Sequence, residues 1–277
     1  MAENLGQMRL EQKHGVPFLA FEQLCALPYI AHGFSTRNGG VSEREFASMN
    51  LYFNRGDDPE HVLENYRRFC RAIGVRFDNL VASAQNHGVS VRRVGAEHVG
   101  FGIWRQSAYA GVDGLLTNEP GIVLVTYFAD CVPLYFVDTA KRGIGLAHAG
   151  WRGTLAEMGA CMVKAMRREF GSRPQDLTVA IGPSIGRCCY EVDAPVAQKV
   201  AALSYLTPQN YLQETRPGKY MLDLWALNRS ILVHAGVPAE QILIGGVCTC
   251  CHRELFFSHR AMGEKRGGMA AMLALRE

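Results

Sequence analysis

The sequence predicts a domain of the α+β class. Several apolar runs have the length and composition of buried strands, and residues 122–128, 132–137 and 144–147 are the clearest of them. Two other segments, residues 61–72 and 154–170, repeat their apolar residues at helical spacing. Because both patterns occur in one chain without a change of composition between them, strands and helices are expected to pack around a shared core.

The composition is typical of a soluble globular protein. Hydrophobic residues make up 48% of the 277 residues and charged residues 20%, which leaves ample apolar material for a core. There is no repeat, low-complexity segment or linker, so we expect one domain over residues 1–277, with roughly the first 30 residues peripheral. The net charge of +3 indicates neither a nucleic-acid surface nor a membrane-surface helix, and it suits a pocket for a small anion.

The nine cysteines indicate a reducing compartment. Their number is odd, their spacing is irregular, and the first residues contain no apolar stretch of a signal peptide, so we expect reduced thiols in the cytoplasm. The longest apolar stretch, residues 121–137, is interrupted by Asp130 and resembles strands more than a membrane span. We therefore expect no membrane contact, and the sequence leaves the oligomeric state open.

In the first part of the chain, residues 16–21 predict an edge strand and residues 32–42 a turn-rich loop with an Asn-Gly-Gly reversal. Arg37 on this loop can clamp a phosphate or a carboxylate, although a solvated loop arginine is the alternative. The helix at residues 61–72 follows an Asp-Asp-Pro start, which places acidic residues at its positive end, and Gly74 is its expected cap.

Two histidines and a cysteine lie at predicted strand ends in the middle of the chain. His87 lies at a bend between short strands at residues 80–83 and 89–94, Cys131 follows residues 122–128, and His148 follows residues 144–147. Catalytic zinc commonly takes three protein ligands, and one Cys with two His is an accepted set. The same residues also offer a thiol and its base. A core cysteine with two incidental histidines is the alternative, because long separations carry little information.

The second half of the chain predicts further elements. Thr154 and Glu157 have the spacing of a capping box at the start of the helix over residues 154–170. We also expect a strand at 177–181, helices at 194–203 and within 220–235, and a strand at 241–247, with residues 256–260 as the last informative segment.

A rival metal site lies near the C-terminus, where Cys248, Cys250, Cys251 and His252 are close in sequence. A structural zinc site usually needs ligand pairs held apart by a loop, and Cys188-Cys189 can supply the second pair. Half-buried reduced thiols are the default interpretation.

Several other cofactor classes are not indicated. The nine histidines include no His-x-His pair, whereas a multinuclear copper centre needs many clustered imidazoles. A blue-copper site can only be approximated at Cys131. The sequence has no Gly-x-Gly-x-x-Gly and no Walker loop, so nucleotide cofactors of those kinds are not expected.

The chain resembles the YfiH/laccase-domain family over nearly all residues after about residue 30. The resemblance rests on DCVP at 130–133, HAGWRG at 148–153, IGPSI at 181–185, CYEV at 189–192, STR at 35–37, GGVS at 39–42, Gln85-x-His87 and FFSHR at 256–260. The extra cysteines of the tail and the segment RGGM at 266–269 depart from the family pattern.

This family was long labelled multicopper polyphenol oxidase and is now described as zinc-dependent purine nucleoside phosphorylase. The resemblance implies a layered α/β/β/α sandwich with mixed sheets. It also implies zinc, with copper less favoured, bound by His87, Cys131 and His148 as metal ligands and catalytic residues. The implied substrates are small molecules: adenosine, inosine or methylthioadenosine with phosphate, and adenosine for a deaminase side activity. Arg37 and Arg260 are the expected substrate-binding residues.

Three other functions stay open at this stage. The first is a metal-free cysteine hydrolase, suited to peptidoglycan-precursor editing, in which Cys131 is the nucleophile and His148 its base. The second is a copper-dependent polyphenol oxidase, and the third is a non-catalytic zinc-binding protein. Asp113, Asp130 and Tyr190 are unranked candidates for proton transfer.

Overall fold

The computed structural model describes residues 5–53 and 55–277. Within these residues the strands are β1 (Met8–Lys13), β2 (Val16–Phe21), β3 (Ile30–Ser35), β4 (Leu80–Ala82), β5 (Val91–Arg93), β6 (Gly114–Thr117), β7 (Val123–Phe128), β8 (Val132–Asp138), β9 (Ile144–Ala149), β10 (Leu177–Ile181), β11 (Glu191–Asp193), β12 (Leu212–Arg216), β13 (Lys219–Leu222), β14 (Ile242–Ile244) and β15 (Met269–Leu275). The α-helices are α1 (Glu22–Cys25), α2 (Pro59–Ile73), α3 (Trp151–Leu155), α4 (Met158–Phe170), α5 (Ala194–Ala201), α6 (Leu224–His234) and α7 (His259–Met262).

Most of the strands form two six-stranded sheets. The first sheet has the order β1-β2-β3-β15-β7-β4 and the second the order β14-β10-β8-β9-β6-β5, while β11, β13 and β12 make a small third sheet. Both large sheets are mixed, because the pairs β4–β7, β5–β6 and β10–β14 are parallel and the others antiparallel. The consecutive strands β7 and β8 lie in different sheets, so the chain crosses from one sheet to the other between them.

Three apolar cores separate the layers. Along β8, Val132, Leu134 and Phe136 pack toward the helices on the outside of the second sheet. Tyr135 and Val137 point the other way, into the core that the two sheets share. This alternation follows from the two-residue period of a strand, and both faces of β8 are buried. The architecture is therefore the layered α/β/β/α sandwich that the resemblance implies.

Helices cover the two outer faces. On the first sheet, α2 buries Val62, Tyr66 and Phe69 in the third core. Its caps agree with the sequence prediction, since the Asp58 side chain accepts a hydrogen bond from the Glu60 N–H and Gly74 takes the left-handed φ of 72°. On the second sheet, α4 and α6 supply the covering apolar faces. None of these helices is long and apolar enough to cross a membrane in the described part of the chain.

The helix predicted at residues 154–170 is divided in two. Glu157 separates α3 from α4 with a φ of 60° and makes no capping hydrogen bond through its side chain. The predicted capping box is therefore wrong. Thr154 lies buried inside α3, where its hydroxyl accepts a hydrogen bond from the Asn228 amide of α6 at 3.0 Å.

The first sheet differs from the prediction at two strands. The strand β2 is not at the edge, because β1 pairs with it from Met8↔Phe21 to Lys13↔Val16. The strand β15 was not predicted, although it pairs with both β3 and β7 and all seven of its residues are buried. The last segment of the chain therefore forms the middle of the first sheet.

Candidate active site

The crossing from β7 to β8 carries Cys131, and strand register places His148 beside it. Val132 pairs with Ala149 and Pro133 with His148 across the antiparallel strands β8 and β9. Residues two positions apart point to the same side of a strand. Cys131 and His148 are therefore diagonal neighbours on the face that looks toward the first sheet.

His87 comes from the first sheet. It lies in the loop after β4, and this loop follows β7 because the Ser83 N–H donates to the Val125 carbonyl oxygen at 2.9 Å. The Gln85 side chain continues the pairing: its oxygen accepts from the Tyr127 N–H at 2.7 Å and its amide donates to the Tyr127 carbonyl at 3.0 Å. The loop therefore extends to the end of β7, next to the turn at residues 129–131 that contains Cys131.

A buried carboxylate organises both histidines. One oxygen of Asp113 lies 2.9 Å from Nδ1 of His148. The same carboxylate accepts hydrogen bonds from the backbone N–H groups of Asn86, His87 and Gly88 at 3.0, 3.1 and 3.0 Å. Asp113 therefore holds a proton on Nδ1 of His148 and leaves Nε2 as the ligand atom, which is the usual arrangement behind a metal-binding histidine.

His87, Cys131 and His148 form a compact group of potential ligands, whose donor atoms all lie within 4.8 Å of one another. His87 is exposed, Cys131 is half-buried and His148 is buried, so one side of the group is open. Gly150 lies against the group, and a Cβ there would stand 3.0 Å from both Sγ of Cys131 and Nδ1 of His87. Two imidazoles and a thiol with one open side are a donor set that fits zinc.

Cys131 and His148 shift each other's pKa in opposite directions. Burial raises the pKa of the Cys131 thiol, but the neighbouring His148 and His87 imidazoles outweigh this and hold that pKa well below its ordinary value. Burial lowers the pKa of His148, but the Cys131 thiolate and the Asp113 carboxylate outweigh this and raise it. The thiolate that results is the form of cysteine that binds a metal or attacks a carbonyl.

Asp130 stabilises the turn that contains Cys131. Both of its carboxylate oxygens already accept hydrogen bonds, so neither is free for proton transfer. Its backbone has a φ of 87°. One carboxylate oxygen accepts from the Thr249 hydroxyl at 2.6 Å, and the other accepts from the Ser258 hydroxyl at 3.0 Å and the Arg260 N–H at 2.7 Å. Asp130 is therefore a positioning residue.

A cavity of about 840 Å³ opens at the ligand group, a volume that suits a small-molecule substrate. Besides His87, Cys131 and His148, its walls contain aromatic, charged and amide side chains, among them Tyr52, Phe53, Tyr127, Arg55, Glu264, His259, Arg266 and Gln85. No sequence motif predicts Tyr52, Phe53, Tyr127, Arg55 or Glu264 as members of this wall.

Arg266 is a buried cation in the wall of this cavity. It is 5% exposed, and burial lowers the pKa of its guanidinium. Its Nη1 donates to the Gly267 carbonyl at 2.8 Å, while its Nε has no hydrogen-bond partner among the described residues. The nearby Glu264 carboxylate contacts Arg55 at 3.6 Å and His259 at 3.9 Å instead. A buried guanidinium with an unpaired donor is suited to an anion.

The two arginines predicted from the sequence lie outside the cavity wall. Arg37 donates from Nε and Nη2 to the Ala47 carbonyl, at 3.1 and 2.9 Å, and from Nη1 to the Arg253 carbonyl at 3.1 Å. Arg260 donates to the Cys189 and Glu191 carbonyls at 3.2 and 3.1 Å. The structure therefore brings His87, Cys131 and His148 together but does not bring Arg37 or Arg260 to the cavity.

The sequence matches one family over most of its length. Residues 31–276 fit the sequence model of a family described as "Multi-copper polyphenol oxidoreductase laccase". The chain belongs to this family. The membership confirms the resemblance that the DCVP and HAGWRG motifs indicate.

Relatives within the family carry enzyme names. The chain is 41% identical over 248 residues to purine nucleoside phosphorylase YlmD of Geobacillus stearothermophilus, covering 88% of this chain and 90% of that protein. It is 35% identical over 236 residues to adenosine deaminase RL5 from an unknown prokaryotic organism, covering 84% and 90%. The crystal structure of the hypothetical protein YfiH of Bacillus licheniformis is 36% identical, with a TM-score of 0.91 over 96% of this chain and 99% of that one. This likeness confirms the fold.

Proposed function

We propose that this protein is a purine nucleoside phosphorylase acting on adenosine, inosine and methylthioadenosine, with adenosine deamination as a side activity. The observation that carries the proposal is the His87–Cys131–His148 group at a cavity whose wall holds the buried Arg266, whose Nε has no hydrogen-bond partner among the described residues. The names of family relatives support the same two activities. Nine free thiols also support the expected cytoplasmic setting.

The metal part of the proposal rests on the donor set. His87, Cys131 and His148 would hold the ion, and a zinc ion bound there would supply a Lewis acid for an oxygen of the substrate. Asp113 keeps the ring of His148 in the orientation needed for binding through Nε2. Copper is the less favoured metal, because each ligand group found among the described residues has at most two imidazoles, whereas a multinuclear copper centre needs many.

Arg266 replaces Arg37 as the proposed phosphate-binding residue. Its guanidinium is already desolvated and has an unpaired Nε, so a phosphate dianion would complete its hydrogen bonding. Arg55 adds a second cation at the outer part of the wall and lies 5.2 Å above the ring of Tyr52. Among the described residues the carboxylate that contacts Arg55 is the exposed Glu264, so two cations favour an anionic co-substrate in this part of the cavity.

The aromatic side chains on the wall would contact the nucleoside. Tyr52 and Tyr127 pack edge to face with their ring centroids 5.3 Å apart. Their rings form an apolar part of the cavity wall. In phosphorolysis, a phosphate oxygen bonds to C1′ of the ribose while the bond from C1′ to the base breaks. The departing base takes up the proton that phosphate gives up, and ribose 1-phosphate is the second product.

Deamination would use the same cavity with water in place of phosphate. Water adds to C6 of the purine, the bond from C6 to the exocyclic nitrogen breaks, and ammonia and inosine leave. Deamination requires C6 of the purine, and not C1′ of the ribose, to lie next to the ligand group, so the nucleoside would bind in a second orientation. The same three ligands would therefore serve both reactions.

The test is to incubate the purified protein with adenosine, inosine or methylthioadenosine, with and without phosphate, and to quantify the products by chromatography. We expect free base and ribose 1-phosphate (or its methylthio analogue) only with phosphate, and inosine from adenosine without it. A His148→Ala variant should lose both activities. If neither free base nor inosine forms from adenosine with phosphate, the proposed function is wrong.

A metal-free cysteine hydrolase is the second candidate. The observation in its favour is the line of Asp113, His148 and Cys131, in which a carboxylate orients an imidazole next to a thiolate. The two candidates respond differently to reagents. A chelator should abolish the phosphorylase and leave the hydrolase active, whereas alkylation of a metal-free Cys131 should inactivate the hydrolase at once.

A further inference from the structure

Four cysteines form a second compact group, away from the His87–Cys131–His148 ligands. Cys188 and Cys189 come from the loop after β10, while Cys248 and Cys251 come from the segment after β14. Their Sγ atoms all lie within 4.8 Å of one another. The sequence contains both pairs, but only the fold brings them together, because β10 and β14 are parallel neighbours in the second sheet.

The sulfur positions agree with four thiolates around one ion. Sγ of Cys251 lies 3.5 Å from Sγ of Cys188 and 3.4 Å from Sγ of Cys189, and all four sulfurs are within 4.8 Å. Two sulfurs about 2.3 Å from a tetrahedral zinc ion are separated by about 3.8 Å, which lies inside that range. A disulfide would require about 2.0 Å, and the described cysteines are all free thiols.

The surroundings of the buried Cys248 favour an anionic sulfur at that position. The Gly186 N–H donates to Sγ of the buried Cys248 at 3.2 Å, and such backbone donors stabilise a thiolate. Arg260 donates to the carbonyl oxygen of Cys189 at 3.2 Å and places a positive charge next to the loop. Ligand pairs from two separate segments are the usual arrangement of a structural zinc site.

We propose that Cys188, Cys189, Cys248 and Cys251 form a second metal site, which binds one zinc ion through four sulfurs and has a structural role. Binding converts four thiols into thiolates and releases their protons to solvent. No open position remains for a substrate, so this site does not take part in the reaction. The proposal is independent of the activity proposed for the cavity.

The contacts around this group show what the ion would stabilise. Ser184 and Cys248 form a β-bridge, and the Thr249 N–H donates to the Ser184 carbonyl at 3.0 Å. Both segments also hold Asp130: the Ile185 N–H donates to its carbonyl at 2.9 Å, and the Thr249 hydroxyl donates to its carboxylate at 2.6 Å. An ion that joins the two segments would therefore stabilise the position of Asp130 and, with it, the turn that contains Cys131.

The experiment measures zinc per chain in the wild-type protein and in single variants. We expect about two zinc ions in the wild type and about one each in Cys131→Ala and Cys251→Ser. The matched control is Cys250→Ser, which removes a neighbouring half-buried thiol outside the group and should keep about two. Unchanged zinc in Cys251→Ser, or zinc loss in Cys250→Ser, would overturn the assignment.

The variants also separate this proposal from the one made for the cavity. One zinc in the wild type that is lost only in Cys131→Ala would refute the second site and leave the first. One zinc that is lost only in Cys251→Ser would support the second site and refute the first. In Cys131→Ala, X-ray absorption should show the remaining zinc with sulfur neighbours alone at about 2.3 Å, and nitrogen neighbours would overturn the proposal.

A third measurement does not depend on whether the variants fold. In the native wild-type protein, we expect the four cysteines to resist alkylation until a chelator is added, while the exposed Cys25 reacts in both conditions. Mass spectrometry of the alkylated peptides identifies each thiol. Alkylation of these four cysteines at the rate of Cys25 before any chelator is added would contradict the proposal.

Discussion

Nδ1 of His148 lies 2.9 Å from Oδ1 of Asp113, and both side chains are buried. The Asp113 carboxylate also accepts the backbone N–H of His87 at 3.1 Å. His148 belongs to the second sheet, whereas the loop of His87 follows a strand of the first sheet. One carboxylate therefore sets the ring orientation of one histidine and the backbone position of the other.

The first prediction concerns this carboxylate. Asp113→Asn removes the charge that holds a proton on Nδ1 of His148, and its amide cannot accept from all its present donors. We expect metal affinity to fall by roughly 10- to 100-fold, as for other residues behind a metal-binding histidine. Metal titration against a competing chelator measures the change.

The matched control is Asp138→Asn at the other end of β8. Asp138 is also fully buried and accepts hydrogen bonds from the backbone N–H groups of Ala140 and Lys141, both at 2.8 Å. This variant should lower thermal stability without changing metal affinity. Equal effects of the two variants on metal affinity would show that Asp113 acts only through general stability.

The second prediction separates the two arginines proposed for phosphate. Arg266→Met should raise the KM for phosphate by about 10- to 100-fold, because hydrogen bonds to a charged group contribute roughly 1.5–3 kcal/mol. Arg37→Met should lower the melting temperature, since Arg37 bonds the carbonyls of Ala47 and Arg253, and should leave that KM unchanged. Initial rates measured at varied phosphate concentrations give the KM of each variant. If Arg37→Met raises the KM for phosphate and Arg266→Met does not, phosphate binds at Arg37 and the role proposed for Arg266 is wrong.

The strands around the site could be predicted because their patterns are local. The apolar runs that become β7, β8 and β10 are long enough to identify, and each is followed by a bend or a turn. The convergence of Cys131 and His148 follows from the pairing of β8 with β9. His87 could be named as a candidate because it lies at a bend between two short strands, but its position beside the other two depends on Asp113, which joins the two sheets.

The strand β15 could not be predicted from local pattern. Its sequence, MAAMLAL, consists of residues that favour helices, and it lacks the alternation of a half-buried strand. It becomes a strand because β3 and β7 pair with its two edges, while one of its faces packs in the core between the sheets and the other in the third core. Tertiary pairing here overrides intrinsic propensity.

Arg266 gave no local signal either. It reaches the cavity because the segment after it pairs with a loop more than 200 residues earlier in the chain, where the Leu51 N–H donates to the Gly268 carbonyl at 3.0 Å. A Cβ on Gly268 would lie 2.4 Å from the ring of Tyr52, so a glycine is required for this approach. The RGGM segment departs from the family pattern, and its first residue, Arg266, lies in the cavity wall.

The third prediction concerns Gly150. Its φ of −67° is open to any residue, so the effect of Gly150→Ala must come from the added methyl group, which would lie 3.0 Å from two potential ligands. Overpacking of this kind costs about 1–3 kcal/mol, and we expect it to appear as weaker metal binding. Gly171→Ala is the control, because it adds strain at a φ of 68° with open space around it. That variant should lose about 1–2 kcal/mol of stability and keep its metal affinity.

The fourth prediction concerns pH and His32, which lies far from any proposed ligand in the sequence. Nε2 of the buried His32 accepts a hydrogen bond from the Phe21 N–H at 2.8 Å, so the ring must be neutral in the folded state. Burial lowers its pKa to about 4, from an ordinary value of 6.5. Because the pKa is lower in the folded state, the unfolded chain binds the proton first as the pH falls. The free energy of unfolding therefore has its full value above pH 6.5 and decreases as the pH falls toward 4.

From this difference, the free energy of unfolding should fall by about 2 kcal/mol between pH 7 and pH 5 on account of His32 alone. His32→Gln keeps an acceptor for the Phe21 N–H but cannot be protonated, so its urea-unfolding free energy should lack this decrease. The control is His14→Asn, which replaces an exposed histidine and should keep the decrease. If wild type and His32→Gln lose stability in parallel between these two pH values, His32 is not the buried group that couples folding to protonation.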